Sequence, residues 1–134
     1  MEEKASLQIL LVEDSAVLAD RLNELLNHIP GVDLVGTVDN ERAAVAFAHS
    51  QPIDVIILDL HLREGTGFGV LRALALQPRK PVAIVLTNYA LPQYQRAAGA
   101  LGVRYFLDKA REFERIPEVL REIAEAASAQ AGAI

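Results

Sequence analysis

Short, mostly apolar segments recur along this sequence at intervals that leave room for one helix after each of them. They cover residues 7–12, 33–38, 53–58, 82–86 and 105–107. Segments of this length are too short for buried helices, and a nearly continuous apolar run is typical of a strand covered on both faces in a parallel sheet. This alternation restricts the possible folds more than any other feature of the chain.

Apolar residues at helical spacing fill the stretches between and after these segments. Ser15 and Asn40 are predicted N-caps, and Gly102 is placed to end the fourth helix. The predicted helices run from Ser15 to Pro30, from Asn40 to about Ser50, through Val70 and Leu74, from Pro92 to Ala100, and from about Ile116 to about Ala127. Because parallel strands are joined by right-handed crossovers, helices must cover both faces of the sheet, which predicts a doubly wound α/β fold.

Length and composition indicate one globular unit without cysteine chemistry. The chain has 134 residues, and we expect a single domain over residues 1–134 with its core at about 7–127. Apolar residues make up 51% of the chain but aromatic residues only 5%, so aliphatic side chains must build the core. The absence of cysteine excludes disulfides, thiolate catalysis and cysteine-based zinc sites.

The net charge and the N-terminal residues restrict the expected ligands and cellular location of the protein. A formal net charge of -5 argues against direct nucleic-acid binding by this domain, because phosphate contacts require a basic face. Residues 1–4 lack the features of a signal peptide, and no apolar run approaches the length of a membrane span. We therefore expect a cytoplasmic protein that does not bind membranes.

Residues with charged or reactive side chains follow four of the predicted strands. Glu13 and Asp14 follow the first, Asp59 follows the third, Thr87 follows the fourth, and Lys109 comes just after the fifth. Because the carboxyl ends of parallel strands share one edge of the sheet, these side chains are expected to converge there. Clustered carboxylates suit Mg²⁺, whose charge relieves their repulsion. A carboxylate can also attack a phosphoryl group and form an acyl phosphate.

This pattern resembles that of response-regulator receiver domains, including the single-domain regulators of chemotaxis, from Leu7 to about Ala127. The motifs that carry the resemblance occur in order and at family-like spacing, at residues 11–15, 57–62, 67, 86–87 and 108–109. The resemblance implies a flavodoxin-like sheet of five parallel strands in the order 2-1-3-4-5, flanked by five helices. Asp108 is given no role beyond flanking Lys109.

The resemblance implies a role for each matching acidic residue and for the lysine. Asp59 corresponds to the phosphoacceptor, and Lys109 to the invariant lysine that pairs with the phosphoryl group. Asp14, Asp59 and the backbone carbonyl of His61 correspond to Mg²⁺ ligands, and Glu13 to the acidic partner that usually acts through water. The side chain of His61 is expected over the mouth of the pocket. No cofactor other than Mg²⁺ is implied.

The resemblance also implies which residues form the conformational switch. Two further positions differ from the family pattern. Thr87 corresponds to the hydroxyl that binds the phosphoryl group, and it forms the conformational switch together with Phe106. Tyr105 is expected on the opposite face of the strand from Phe106. The family often has proline where this chain has Ala110, and another proline where it has Arg63. Neither change removes a reacting group.

The implied function is a two-component phosphoacceptor switch and not an enzyme with a separate substrate. A histidine kinase or a histidine phosphotransfer protein would phosphorylate it, changing the surface around the fourth helix, the fifth strand and the last helix. The last two helices would contact a downstream protein or a second copy. The alternatives are a phosphorylation-independent binding module, an aspartyl phosphohydrolase, which commonly has a second aspartate where His61 stands, and a flavin-binding protein, which the acidic residues 13–14 disfavour.

Overall fold

The computed structural model describes residues 6–132 and has one five-stranded parallel sheet in the order β2-β1-β3-β4-β5. The strands are β1 (Leu7–Val12), β2 (Val32–Val38), β3 (Val55–Leu58), β4 (Val82–Thr87) and β5 (Tyr105–Asp108). The helices are α1 (Ala16–Asn27), α2 (Glu41–Ser50), α3 (Gly67–Ala75), α4 (Pro92–Ala100), α5 (Lys109–Glu112) and α6 (Ile116–Gly132), with a 3-10 turn (Phe113–Arg115) before α6. The strand order confirms the predicted topology. None of the helices within the described residues combines the length and apolar content that a membrane span requires.

Local capping explains where four of the helices begin. The side chains of Ser15, Asn40 and Thr66 each accept a hydrogen bond from the backbone N–H three residues later, at the start of α1, α2 and α3. These bonds satisfy donors that the first turn of a helix leaves without a partner. Helix α4 begins with Pro92 instead, which lacks the N–H and already has a helical φ. The predicted caps at Ser15 and Asn40 are confirmed.

One face of the sheet packs against α1 and α6, and the other packs against α2, α3 and part of α4. Leu11 and Ile57 point to the face covered by α1 and α6, whereas Val12 and Leu58 point to the face covered by α2 and α3. All four side chains are 0–1% exposed. Burying a side chain of this size contributes roughly 1.5–3 kcal/mol, so the two core clusters hold the sheet between the helix layers. This arrangement confirms the doubly wound fold.

Three local features differ from the sequence prediction. The five predicted helices are present, but Lys109 begins an additional one-turn helix, α5, where a loop was expected. Helix α6 continues to Gly132, beyond the predicted end near Ala127, because its alanine-rich tail has high helix propensity. Strand β3 begins at Val55, two residues later than the predicted segment 53–58.

The register of the strands aligns their carboxyl ends along one edge of the sheet. Val12 of β1 pairs with Leu58 of β3, and Thr87 of β4 pairs with Asp108 of β5. The backbone N–H of Asp59 donates to the carbonyl of Val12 at 3.2 Å, which extends the first pairing by one residue. The residues that follow these pairs are therefore neighbours in space, although the chain separates them widely.

Candidate functional site

Glu13 and Asp14, the two acidic residues that follow β1, differ in how deeply they are buried. Glu13 is 4% exposed, its N–H donates to the carbonyl of Val38 at 2.9 Å, and its Oε2 accepts from the N–H of Ser15 at 3.0 Å. Burial raises the pKa of Glu13, and the Ser15 hydrogen bond and Lys109 offset that effect only in part. Asp14 is half-buried. Glu13 is thus anchored inside the site, and Asp14 lies at its solvent side.

Asp59 and Lys109 occupy the centre of the site. Lys109 Nζ donates to Asp59 Oδ2 at 2.6 Å and lies 3.0 Å from Glu13 Oε1, and the exposed fraction of the Lys109 side chain is 10%. Burial alone would lower the pKa of Lys109. The hydrogen bond and negative charge of Asp59, and then those of Glu13, outweigh the effect of burial, so the pKa of Lys109 is raised. The ammonium therefore stays charged and offsets two buried carboxylates.

The carboxylates of the site also fit the predicted metal. Glu13, Asp14 and Asp59 each offer an oxygen, and these three oxygens lie within 4.8 Å of one another. Mg²⁺ prefers such hard oxygen ligands, takes only one or two carboxylates directly and keeps several waters. The three acidic residues of the predicted Mg²⁺ site are therefore clustered in space.

The candidate switch residues lie at the ends of β4 and β5. Thr87 is fully buried, and its Oγ1 accepts from the N–H of Tyr89 at 3.1 Å, which leaves the hydroxyl proton available to a second acceptor. Phe106 is half-buried on the face covered by α2 and α3, whereas Tyr105 packs on the face covered by α1 and α6. The predicted separation of these two aromatic residues onto opposite faces is confirmed.

The loop after β3 closes on itself beside the site. His61 pairs with Thr66 in an antiparallel bridge, and the N–H of Gly67 donates to the carbonyl of Leu60 at 3.0 Å. The N–H of His61 donates to Asp59 Oδ1 at 3.2 Å. Gly67 packs directly on the backbone of Asp59 and Leu60, where a Cβ atom would collide with it. This tight closure orients both Asp59 and the His61 backbone.

Four aromatic rings are in contact around His61, whose backbone N–H donates to Asp59, and the sequence indicated only part of this group. The ring of His61 lies 4.1 Å from that of Tyr89 and 5.7 Å from that of Tyr94, which in turn lies 6.0 Å from Phe68. Tyr89 is 50% exposed. Tyr94 and Phe68 were not predicted to belong to the site, because helical periodicity places them on α4 and α3 without saying what those helices face.

Comparison with known proteins identifies the family. Residues 9–121 match the family model described as the response regulator receiver domain. The chain belongs to this family. It is therefore a receiver domain of the kind that response regulators use in two-component signalling.

Known relatives of this receiver domain are longer proteins. Sensory transduction protein LytT of Enterococcus faecalis is 27% identical over 116 residues, which cover 87% of this chain and 47% of that protein. Transcriptional regulatory protein DesR of Bacillus subtilis is 29% identical over 117 residues, covering 87% and 58%. A protein-glutamate methylesterase/protein-glutamine glutaminase of Anaeromyxobacter dehalogenans is 32% identical over 116 residues, covering 78% and 32%. The receiver domain thus spans about a third to three fifths of these relatives.

Solved structures show the same fold. The response regulatory domain of protein mrkE from Klebsiella pneumoniae superposes with a TM-score of 0.81 at 22% identity, covering 90% of this chain and 97% of that one. The signal receiver domain of NarL from Mycobacterium tuberculosis gives a TM-score of 0.82 at 19% identity, covering 90% and 98%. At these identities the likeness supports the architecture of the receiver domain and no more.

The segment after Lys109 contains Ala110, one of the two positions at which the sequence differs from the expected family pattern. The carboxylate of Asp108 accepts from the N–H groups of Ala110 and Arg111 at 2.8 and 3.3 Å, and Glu112 Oε1 accepts from the N–H of Asp108 at 2.9 Å. This reciprocal arrangement resembles a capping box and uses an N–H that proline at position 110 would lack. The expectation that Asp108 only flanks Lys109 is wrong, because it is the N-cap of α5. The peptide bond between Lys109 and Ala110 is trans, like every other within residues 6–132.

Glu112 is expected to stabilise this receiver domain in a pH-dependent way. The hydrogen bond from Asp108, and then that from Arg115 at 2.8 Å, hold the pKa of Glu112 below its usual value of 4.5. Because the pKa of Glu112 is lower in the folded state than in the unfolded state, its ionised form stabilises the fold. This stabilisation is fully present above pH 4.5 and is lost as the pH falls through the pKa of the folded state. Glu112→Gln should therefore lower the free energy of unfolding at neutral pH, and this deficit should shrink in acid. Urea unfolding of both proteins across this range checks the prediction, and a deficit independent of pH would contradict it.

Proposed function

We propose that this receiver domain is a phosphoacceptor switch in which Asp59 takes a phosphoryl group from a histidine kinase or a histidine phosphotransfer protein. An Asp59 oxygen bonds to phosphorus while the bond from phosphorus to the donor histidine nitrogen breaks, and the electron pair of that bond stays on the nitrogen. Water later cleaves the acyl phosphate, which restores the carboxylate and releases inorganic phosphate. The domain catalyses only this phosphorylation and dephosphorylation of itself, and we place the exchange in the cytoplasm.

The setting of the Asp59 carboxylate is the observation that carries this proposal. One of its oxygens lies 2.6 Å from Lys109 Nζ, and the other accepts from the N–H of His61 at 3.2 Å, so the carboxylate is held in one orientation at the sheet edge. Lys109 is close enough to pair with an oxygen of the phosphoryl group, and the hydroxyl proton of Thr87 is available to another. Both contacts would stabilise the charge that the phosphoryl group brings.

The acidic residues would hold Mg²⁺ for this reaction. Asp14, Asp59 and the backbone carbonyl of His61 would bind it directly, and Glu13 would bind it through water. When bound, Mg²⁺ neutralises charge on the oxygens of the phosphoryl group during transfer. The buried Glu13 is fixed by the N–H of Ser15, so its contribution to the site needs no rearrangement of the chain.

Phosphorylation is proposed to change the surface formed by α4, β5 and α6. The new dianion would draw the hydroxyl of Thr87 towards it, and Phe106 would repack on its half-buried face of β5. This local change biases a two-state equilibrium that a downstream protein or a second copy reads through α4 and α6. Partner binding that is unaffected by Asp59→Ala would instead favour a phosphorylation-independent binding module.

Intact-mass measurement after incubation with Mg²⁺ and acetyl phosphate tests the proposed reaction. We expect one added phosphoryl group on the wild type, and none on Asp59→Asn or when a chelator removes Mg²⁺. Asp54→Asn is a matched control, because Asp54 precedes the same strand and pairs with Arg79 at 2.9 Å outside the site. It should be labelled like the wild type. No labelling of the wild type, or equal labelling of Asp59→Asn, would contradict the proposal.

Slow loss of the phosphoryl group is a further expectation. The rings of His61 and Tyr89 lie 4.1 Å apart, and the backbone N–H groups of these residues donate to Asp59 and Thr87, so we expect the rings to restrict the approach of the attacking water. The double variant His61→Ala/Tyr89→Ala should therefore lose phosphate several-fold faster than the wild type once the phosphodonor is removed. Asn88→Ala, a change at an exposed neighbour, is the control. Decay of the phosphorylated mass with time is the measurement, and equal or slower decay in the double variant would refute the expectation.

A further inference from the structure

Glu41, the first residue of α2, makes contacts that its helix does not require. Its Oε1 accepts a hydrogen bond from the backbone N–H of Thr66 at 2.9 Å, and its own N–H donates to the carbonyl of Glu64 at 3.1 Å. Thr66 is the N-cap of α3, so the Glu41 carboxylate lies at the N-terminus of that helix. A carboxylate is electrostatically favourable there because of the helix dipole. Glu41 thereby joins α2 to the loop between β3 and α3.

Two glycines make room for the Glu41 side chain. A Cβ atom at Gly65 or at Gly69 would collide with Glu41, and for Gly69 the three nearest atoms all belong to the Glu41 carboxylate. Gly65 also has a φ of +82°, which side chains other than that of glycine rarely adopt. Glu41 is itself only half-exposed. The side chain of Glu41 therefore occupies the space that these two glycines leave between α2 and the start of α3.

The loop that Glu41 contacts also contains a proposed metal ligand. Thr66 pairs with His61 across the antiparallel bridge, so the two residues move together. The N–H of Thr66 donates to Glu41 on one side of the loop, and the N–H of His61 donates to Asp59 on the other. A hydrogen bond to Thr66 thus restricts the position of the His61 backbone, whose carbonyl would bind Mg²⁺.

We propose that Glu41 is a positioning residue for the metal site, which sets the affinity for Mg²⁺ by holding the loop between His61 and Thr66 in its binding geometry. The inference rests on the proposed function in one respect, namely that the His61 carbonyl binds the metal. Without Glu41 the loop would have to be ordered as Mg²⁺ binds, and the entropy of that ordering would weaken binding.

The test measures Mg²⁺ affinity without any phosphodonor, from the backbone amide shifts in NMR spectra as MgCl₂ is added. Glu41→Ala should weaken Mg²⁺ binding by about tenfold, the lower end of the usual effect of losing a supporting contact. The Thr66 amide should also exchange its hydrogen faster in the metal-free protein. Glu41→Gln keeps an acceptor for Thr66 and should recover most of the affinity. Glu24→Ala, at an exposed position of α1, should change neither quantity.

Gly69→Ala supplies a second, independent perturbation, because it displaces the Glu41 carboxylate while leaving residue 41 unchanged. It should weaken Mg²⁺ binding in the wild type but add little in the Glu41→Ala background, where the collision is absent. Unchanged Mg²⁺ affinity in both Glu41→Ala and Gly69→Ala would overturn the proposal. Phosphorylation of the same samples is scored separately. A wild type whose Mg²⁺ binding depends on Glu41 but which takes no phosphoryl group would overturn the proposed function alone.

Discussion

Lys109→Met is expected to slow phosphorylation of Asp59 by about tenfold or more and to lower the free energy of unfolding of the metal-free protein by about 3 kcal/mol. Methionine keeps the length and apolar stem of lysine, so the change removes mainly the charge. The carboxylates of Glu13 and Asp59, which are 4% and 6% exposed as residues, would lose the ammonium that lies 3.0 and 2.6 Å from their oxygens. Their mutual repulsion in a poorly hydrated site causes the loss.

Urea unfolding with and without Mg²⁺, together with the rate of phosphoryl uptake, measures both effects. Mg²⁺ should restore part of the lost stability of Lys109→Met, because it binds oxygens of the same carboxylates. Lys80→Met is the control, since Lys80 is an exposed lysine in the turn before β4. A Lys109→Met protein that is as stable as the wild type and is phosphorylated at the same rate would show that this ion pair does not matter.

Gly67→Ala is expected to lower the free energy of unfolding by about 3 kcal/mol and to slow phosphorylation by up to about a hundredfold. A Cβ atom at this position would meet the carbonyl oxygen of Asp59 and the Cα of Leu60. These are backbone atoms, which cannot rotate away as a flexible side chain does, so the end of β3 must shift. Because Asp59 is the proposed nucleophile, a displacement of about 1 Å would misalign the reacting oxygen.

Gly99→Ala is the matched control for this substitution. Gly99 is the second-to-last residue of α4; apart from its neighbours in the helix backbone, no atom lies within 4 Å of the position of a Cβ, and its φ is not positive. Alanine there should raise the free energy of unfolding by about 0.5–1 kcal/mol, because glycine is the poorer helix former. Opposite signs for the two substitutions, measured by urea unfolding, are the expected result. A Gly67→Ala protein that matches the wild type in stability and phosphorylation would mean that the close approach is unimportant.

The strands and the residues at their carboxyl ends could be predicted from the sequence because both depend on local patterns. A strand buried on both faces needs consecutive apolar residues, and the predicted segments 82–86 and 105–107 lie within β4 and β5. Parallel topology then brings the residues after those strands to one edge, wherever they stand in the chain. Asp59 and Lys109 are 50 positions apart and form a salt bridge at 2.6 Å.

Only the tertiary structure decided which residues outside these motifs support the site. Glu41 contacts Thr66 across 25 positions, and Tyr94 reaches the ring of His61 from α4. The capping role of Asp108, next to an alanine where the family often has proline, also emerged only from the folded backbone. Helical or strand periodicity tells whether a side chain lies on an apolar or a polar face. It does not tell which other element that face meets, because this depends on how helices and loops pack across the whole sheet.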